Sequence, residues 1–187
     1  MVNTWAEFEA ELQNCRRCRL CEQRTNIVAG EGNPNARLMF IGEGPGRDED
    51  LQGRPFVGAS GQLLDIMIRA LGMQRSEVYI ANVVKCRPPL NRNPEPDEAA
   101  ACMGYLREQF ALVRPEVICL LGKVACRYVL NTDSPISALR GKWIERKGVW
   151  FMPTYHPSAL LRDPSKKKEA WEDFKLLRTK LRELKHD

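Results

Sequence analysis

Short, mostly apolar runs alternate along the chain with longer stretches in which apolar residues recur every three or four positions. The runs are Leu38-Met39-Phe40-Ile41, Val78 to Val84, Val117 to Leu121 and Val149 to Met152. Runs of this length without polar alternation suit strands covered on both faces, as in a parallel sheet. Between them, helical spacing predicts helices over Ser60 to Leu71, closed by Gly72, and over Lys123 to Leu130. A further helix is expected from a cap at Asp97 to about Val113. Thr4 followed by Glu7 has the pattern of a capping box and opens a helix through about Asn14, and a charged amphipathic helix is expected from about Lys166 to Leu184. Alternating strands and helices predict an α/β fold, a three-layer α/β/α sandwich around a central, mainly parallel, four-stranded sheet. In such sheets, sites gather beyond the carboxyl ends of the strands. Three segments fall there: the turn Gly42-Glu43-Gly44-Pro45-Gly46, Asn82 with the loop after it, and the loop containing His156.

The length of 187 residues suits one domain spanning residues 1–187. An excess of 29 Lys and Arg over 24 Asp and Glu permits a polyanionic partner without requiring one. Acidic residues interrupt the N-terminal apolar residues, so no signal peptide is expected, and no run is long enough to cross a bilayer. A cytoplasmic location follows as an expectation, and there seven cysteines serve a metal more readily than disulfides. Cys119 and Cys126 fall inside a predicted strand and helix and read as small core residues. Cys15, Cys18, Cys21, Cys86 and Cys102 remain. The first three are spaced like a ferredoxin run, and four thiolates suit zinc as well as an iron-sulfur cluster, so spacing alone leaves both the ligand set and the metal open.

Six motifs occur in order: Cys15-x-x-Cys18, the Gly42 to Gly46 turn, Gly53-Arg54-Pro55-Phe56-Val57-Gly58, Asn82-Val83-Val84-Lys85-Cys86-Arg87-Pro88-Pro89, Cys102, and His156-Pro157-Ser158-Ala159-Leu160-Leu161-Arg162. Together they resemble the family 4 uracil-DNA glycosylases, the iron-sulfur members of their superfamily, over nearly the whole chain. The resemblance implies a 4Fe-4S cluster on Cys15, Cys18, Cys86 and Cys102, with Cys21 free. It also implies a monomer acting on uracil-containing DNA, single-stranded and double-stranded, and a glycine turn whose backbone at Gly42 and Gly44 forms one wall of a uracil pocket. Other branches carry an Asp or Asn in this turn where Gly44 stands here, which makes Glu43 the candidate to position water or stabilise a cationic sugar. Glu49 is expected either to crowd the 5-methyl of thymine or to be a solvated acid. Phe56, in a segment too irregular for a core strand, is expected to stack on a flipped base. The Asn82 amide offers the donor and acceptor that read O4 and N3-H of uracil, and His156 is placed to donate to the leaving O2. Ser158 is expected on a phosphate, and Leu160, Leu161 or Arg162 in the gap left by the flipped nucleotide. Lys166-Lys167-Lys168 either adds phosphate contacts or is a solvated helix start.

Features of the sequence count against three rival readings. A non-catalytic iron-sulfur DNA-binding protein on the same fold would not need both Asn82 and His156. A glycosylase that traps its product on a histidine in the loop after Asn82 requires one there, and residues 83–101 contain none. A P-loop enzyme requires Lys-Ser or Lys-Thr after the glycine turn, which is absent.

Overall fold

A computed structural model describes residue 2 and residues 4–185, so His186 lies outside the described residues. Six strands form one sheet: β1 (Glu31–Gly32), β2 (Leu38–Gly42), β3 (Tyr79–Asn82), β4 (Val117–Leu121), β5 (Ile144–Arg146) and β6 (Val149–Thr154). Their order is β1-β3-β2-β4-β6-β5. The four inner strands are parallel and correspond to the four apolar runs. The edge strands β1 and β5 pair antiparallel, which corrects the expected four strands to six. Both are short and only partly buried, so no apolar run announces them. A hairpin turn at Lys147-Gly148, with both residues in the left-handed region, creates β5.

Alternation along each inner strand divides the core in two. Leu38 and Phe40 of β2 join the cluster formed with α3 (Ala59–Ala70) and α8 (Lys167–Glu183), while Met39 and Ile41 join that of α1 (Trp5–Gln13), α4 (Pro96–Val113) and α5 (Lys123–Leu130). The three-layer α/β/α expectation holds, and burying each such side chain contributes roughly 1.5–3 kcal/mol. Cys119 and Cys126 are buried in opposite core clusters.

The Thr4–Glu7 capping box is present. The cap of α4 differs from expectation: Glu95 precedes Pro96 and its N–H donates to Glu98 Oε2 at 2.8 Å. Asp97 is one residue into the helix and accepts from Arg19 instead. Three short helices escaped the periodicity reading: α2 (Arg47–Gln52), α6 (Ile136–Leu139) and α7 (Pro157–Arg162). Four to six residues are too few to display a 3.6-residue repeat. Among the described residues, no helix is long and apolar enough to cross a membrane.

Candidate active site

The carboxyl ends of β2, β3, β4 and β6 open onto one cleft of about 760 Å³, whose lining includes Glu43, Gly44, Glu49, Phe56, Asn82, His156, Ser158 and Arg162. Four of the six sequence motifs, those of Gly42 to Gly46, Gly53 to Gly58, Asn82 to Pro89 and His156 to Arg162, therefore meet at one cleft.

Asn82 closes β3 and is 2% exposed. Its Oδ1 is buried without a hydrogen-bond partner. Leaving a buried polar atom unpaired costs about 1–3 kcal/mol, and such an atom in a cleft is poised for a ligand. Gly42 makes the space around it: a Cβ there would come 2.5 Å from Asn82 Oδ1 and 2.6 Å from Phe56 Cζ. Phe56 is buried at φ 50°, a backbone conformation a bulky residue rarely adopts. Its ring centroid lies 5.5 Å from that of His156, at 30° between planes.

Two side chains hold the Phe56 segment in place. Arg75 donates to the carbonyl oxygens of Phe56, at 2.9 Å, and Pro55, while also pairing with Glu31 and Asp65. Glu49 accepts from the N–H groups of Val57 and Gly58, both at 2.9 Å, and of Gly46 at 3.1 Å. Glu49 lines the cleft, but both its oxygens are committed to backbone. It fastens the glycine turn to the Phe56 loop rather than standing as a solvated acid.

His156 caps α7, and its Nδ1 accepts from Ser158 N–H at 3.1 Å. A backbone N–H can only donate, so Nδ1 is unprotonated and the neutral ring carries its proton on Nε2. Ser158 Oγ, 2.8 Å from the same nitrogen, then also donates to it. Burial, reinforced by the Arg162 cation, pushes the His156 pKa down to about 4, so the ring is a neutral donor at physiological pH. Gly122, at φ 92°, lets β4 turn into α5 close beside it; a Cβ there would lie 3.0 Å from His156 Cβ.

Burial pushes the Glu43 carboxyl up to about 7, against the opposing pull of Arg162. Arg47, Arg92 and Lys123 join Arg162 on the walls, together with the carboxylates of Glu43, Asp48 and Glu49, and Arg92 is paired with Glu98. The expectation for Leu160 is corrected. The turn of α7 points it inward with Tyr155 and Ala170, at 2% exposure, whereas Leu161 is 44% exposed. Lys166 pairs with Asp163 at 3.3 Å.

A second, small cavity is lined by Cys15, Cys18, Cys21, Cys86 and Cys102. Cys102 lies within electrostatic range of Cys15 and Cys18, and Cys86 of Cys18 and Cys102. Cys21 lies in range of Cys18. Burial pushes the Cys86 thiol up to about 11, opposed by Arg24, which donates to its sulfur at 3.3 Å. Lys85 N–H donates to Cys102 Sγ at 3.3 Å. Cysteines gathered from distant parts of the chain, with N–H donors aimed at the sulfurs of Cys86 and Cys102, fit an anionic thiolate-bound group.

Sequence reasoning missed the polar residues beneath both sites. Lys85 is fully buried and its ammonium donates to Asn82 O at 2.7 Å and Gln109 Oε1 at 2.5 Å. Glu98, also fully buried, pairs with Arg19 at 2.8 Å and Arg92 at 2.7 Å, tying the cysteine segment to the proline-rich loop. Its carboxyl is held down at about 2, chiefly by the Arg92 hydrogen bond. Only the high density of charge in these segments hinted at such pairs.

Comparison with known proteins agrees with this architecture. Residues 29–175 match the family profile described as the Uracil DNA glycosylase superfamily. The chain is 46% identical over 186 residues to the type-4 uracil-DNA glycosylase of Sulfurisphaera tokodaii, covering 95% of this chain and 84% of that one. It is 46% identical over 173 residues to its counterpart in Archaeoglobus fulgidus, covering 88% and 87%. Against the Thermotoga maritima enzyme it is 47% identical over 158 residues, covering 82% and 81%. On its strand-end cleft, its cysteine set and these identities, the chain belongs to the uracil-DNA glycosylase superfamily, among the type-4 enzymes.

Proposed function

We propose that the chain is a uracil-DNA glycosylase that takes uracil out of the DNA stack and hydrolyses its N-glycosidic bond, leaving an abasic site for base excision repair. The observation that carries this reading is the orphaned Oδ1 of Asn82, buried beside Phe56 and facing a cleft that also holds the Nε2–H of His156. Oδ1 accepts from uracil N3-H and the amide NH2 donates to O4; cytosine presents a bare N3 and an amino group there, so both contacts fail. Phe56 stacks on the base, and the backbone at Gly42 and Gly44 closes in beside it. His156 donates to O2 as negative charge develops on it, and ionised Glu43 stabilises the positive sugar or orients the attacking water. Ser158 sets the imidazole and faces the phosphates, which Arg162, Arg47, Arg92 and Lys123 neutralise, while Leu161 lies against the DNA beside them. All these groups come from one chain, which supports a monomer as the active unit. Incubating the protein with single-stranded and double-stranded uracil oligonucleotides, then cleaving abasic sites with alkali, tests the reading. Intact strands would remove it.

Cys15, Cys18, Cys86 and Cys102 would hold a 4Fe-4S cluster, which supplies cross-linking of the N-terminal segment to the proline-rich loop rather than chemistry at C1′. Four thiolates by themselves suit zinc as well, and the likeness to the iron-sulfur type-4 enzymes is what favours a cluster. Protein purified without oxygen is expected to be brown, with about four irons per chain. Iron should be lost on replacing any of those four residues by serine and kept in Cys21→Ser. One zinc per chain in colourless protein would replace the cluster.

Glu43 sets the expected pH dependence. Its carboxyl ionises near 7 while His156 stays neutral down to about 4, so single-turnover excision should level off above 7. Below 7 it should fall toward about tenfold per pH unit. Glu43→Gln should be slow throughout and lack that acid limb. A carboxyl raised on folding binds its proton more tightly in the folded state, so stability is lost as pH rises through the interval from 4.5 to 7. Glu43→Gln should therefore raise Tm at pH 8 and not at pH 4. An unchanged acid limb in that variant would assign it to another group.

A further inference from the structure

Leu90 is 97% exposed, whereas the next most exposed large apolar side chain among the described residues, Ile66, is 56% exposed. It also sits at φ 53°, followed by Asn91 at φ 56°. Glycine or asparagine occupies that left-handed region at little cost, and a leucine does not. A branched apolar side chain that is both strained and held in water stabilises nothing in the free protein.

The strained loop is nevertheless rigidly built. Pro88 and Pro89 fix their own backbone torsions. Asn91 N–H donates to Pro88 O and Arg92 N–H to Pro89 O, both at 3.1 Å, and Arg87 Nε donates to Asn91 Oδ1 at 2.7 Å. One end is anchored at buried Cys86, and at the other Arg92 forms a two-pronged pair with buried Glu98. Pro88, Asn91 and Arg92 line the same cleft as Asn82 and His156, while Leu90 is not part of the wall. The loop thus presents a fixed apolar prong from the rim of the cleft, among cations suited to a polyanion.

We propose that Leu90 is the wedge that enters the duplex as the uridine leaves it, filling the space between the flanking base pairs. This rests on the glycosylase reading above. Apolar side chains inserted at base steps offset lost stacking, and a preordered prong loses little conformational freedom on entry. The prong of this proposal comes from the loop after β3, whereas the expectation placed the wedge on α7, where Leu160 is buried and Leu161 is 44% exposed.

The test uses the metal-replete full chain with Leu90→Ala and Leu90→Asn; asparagine is close in size and tolerates the left-handed backbone, so folding is preserved. Single-turnover uracil excision is measured on a U·A duplex, a U·G duplex and a single strand of the same sequence. Both variants should lose about tenfold or more on U·A, less on U·G where flipping is easier, and less than about twofold on the single strand. Equal losses on all three substrates would overturn the proposal by making Leu90 a fold or pocket residue. Undiminished U·A excision would also overturn it, and a graded loss in Leu161→Ala would then move the wedge to α7. Absence of excision by the unmodified protein on every substrate would instead remove the glycosylase reading, and the wedge with it.

Discussion

Replacing His156 by alanine is expected to slow single-turnover uracil excision by about a hundred- to a thousandfold, the usual effect of deleting one fixed donor to a developing anion. The fixed direction of that donor is what the fold supplies. Ser158 N–H occupies Nδ1, so the only ring proton is on Nε2, and burial keeps the ring neutral down to about 4. A neutral donor strengthens as the base departs, whereas a cation would have been solvated or paired before the reaction began. DNA affinity should change far less, because in the proposed complex phosphate contacts from other residues of the cleft, such as Arg162, Arg47 and Lys123, would supply most of it. Both quantities should be measured on one uracil duplex at fixed salt, with iron content monitored to separate misfolding from chemistry. Excision reduced less than tenfold together with collapsed binding would make His156 a DNA-gripping residue and shift the chemistry to Glu43.

Asn82→Asp should cost on the order of a hundredfold or more in uracil excision at pH 8, since an ionised carboxylate cannot donate to O4 and repels it. The position is almost fully enclosed, so burial raises the pKa of the introduced carboxyl. Once protonated it again offers one donor and one acceptor. The deficit relative to the unmodified protein at the same pH should therefore narrow as pH falls, and that ratio also cancels the Glu43 limb. Asn82→Ala should show a deficit that does not change with pH. Because the carboxylate accepts from the cytosine amino group, slow cytosine excision is expected from Asn82→Asp at pH 8. Undiminished uracil excision by this variant would show that Asn82 does not read the base.

Lys85 links the two sites physically: its backbone N–H meets Cys102 and its ammonium meets Asn82 O. Disturbing the cysteine set is thus expected to reach the backbone of Asn82, the residue proposed to read the base, through one buried residue. The same set borders the proline-rich loop, whose far end is held by the Glu98 pair with Arg92.

The four inner strands, the helices flanking them, and several of the residues that line the strand-end cleft were legible in the sequence because each depends on short-range information. An unbroken apolar run demands cover on both faces wherever it sits, and Gly42, Asn82 and His156 lie at or just after the ends of such runs. The motif order then joined them to one chemistry. The edge strands were not legible, since two or three half-exposed residues acquire strand character only from a neighbour's unpaired backbone. Nor were the roles within α7, where one turn of helix sends Leu160 into the core and leaves Leu161 outside. Glu49 reads as part of an acidic run until the fold brings Gly46, Val57 and Gly58 to its oxygens. Lys85 and Glu98 look like ordinary surface charges because their partners Gln109, Arg19 and Arg92 are identified only by three-dimensional packing. Leu90 shows the converse: in sequence it is one more apolar residue, and only the tertiary structure leaves it strained and bare at the rim of the cleft. Local pattern determines which segments must be buried and which chemistry is present, while long-range contacts decide which atoms of those residues remain free to act.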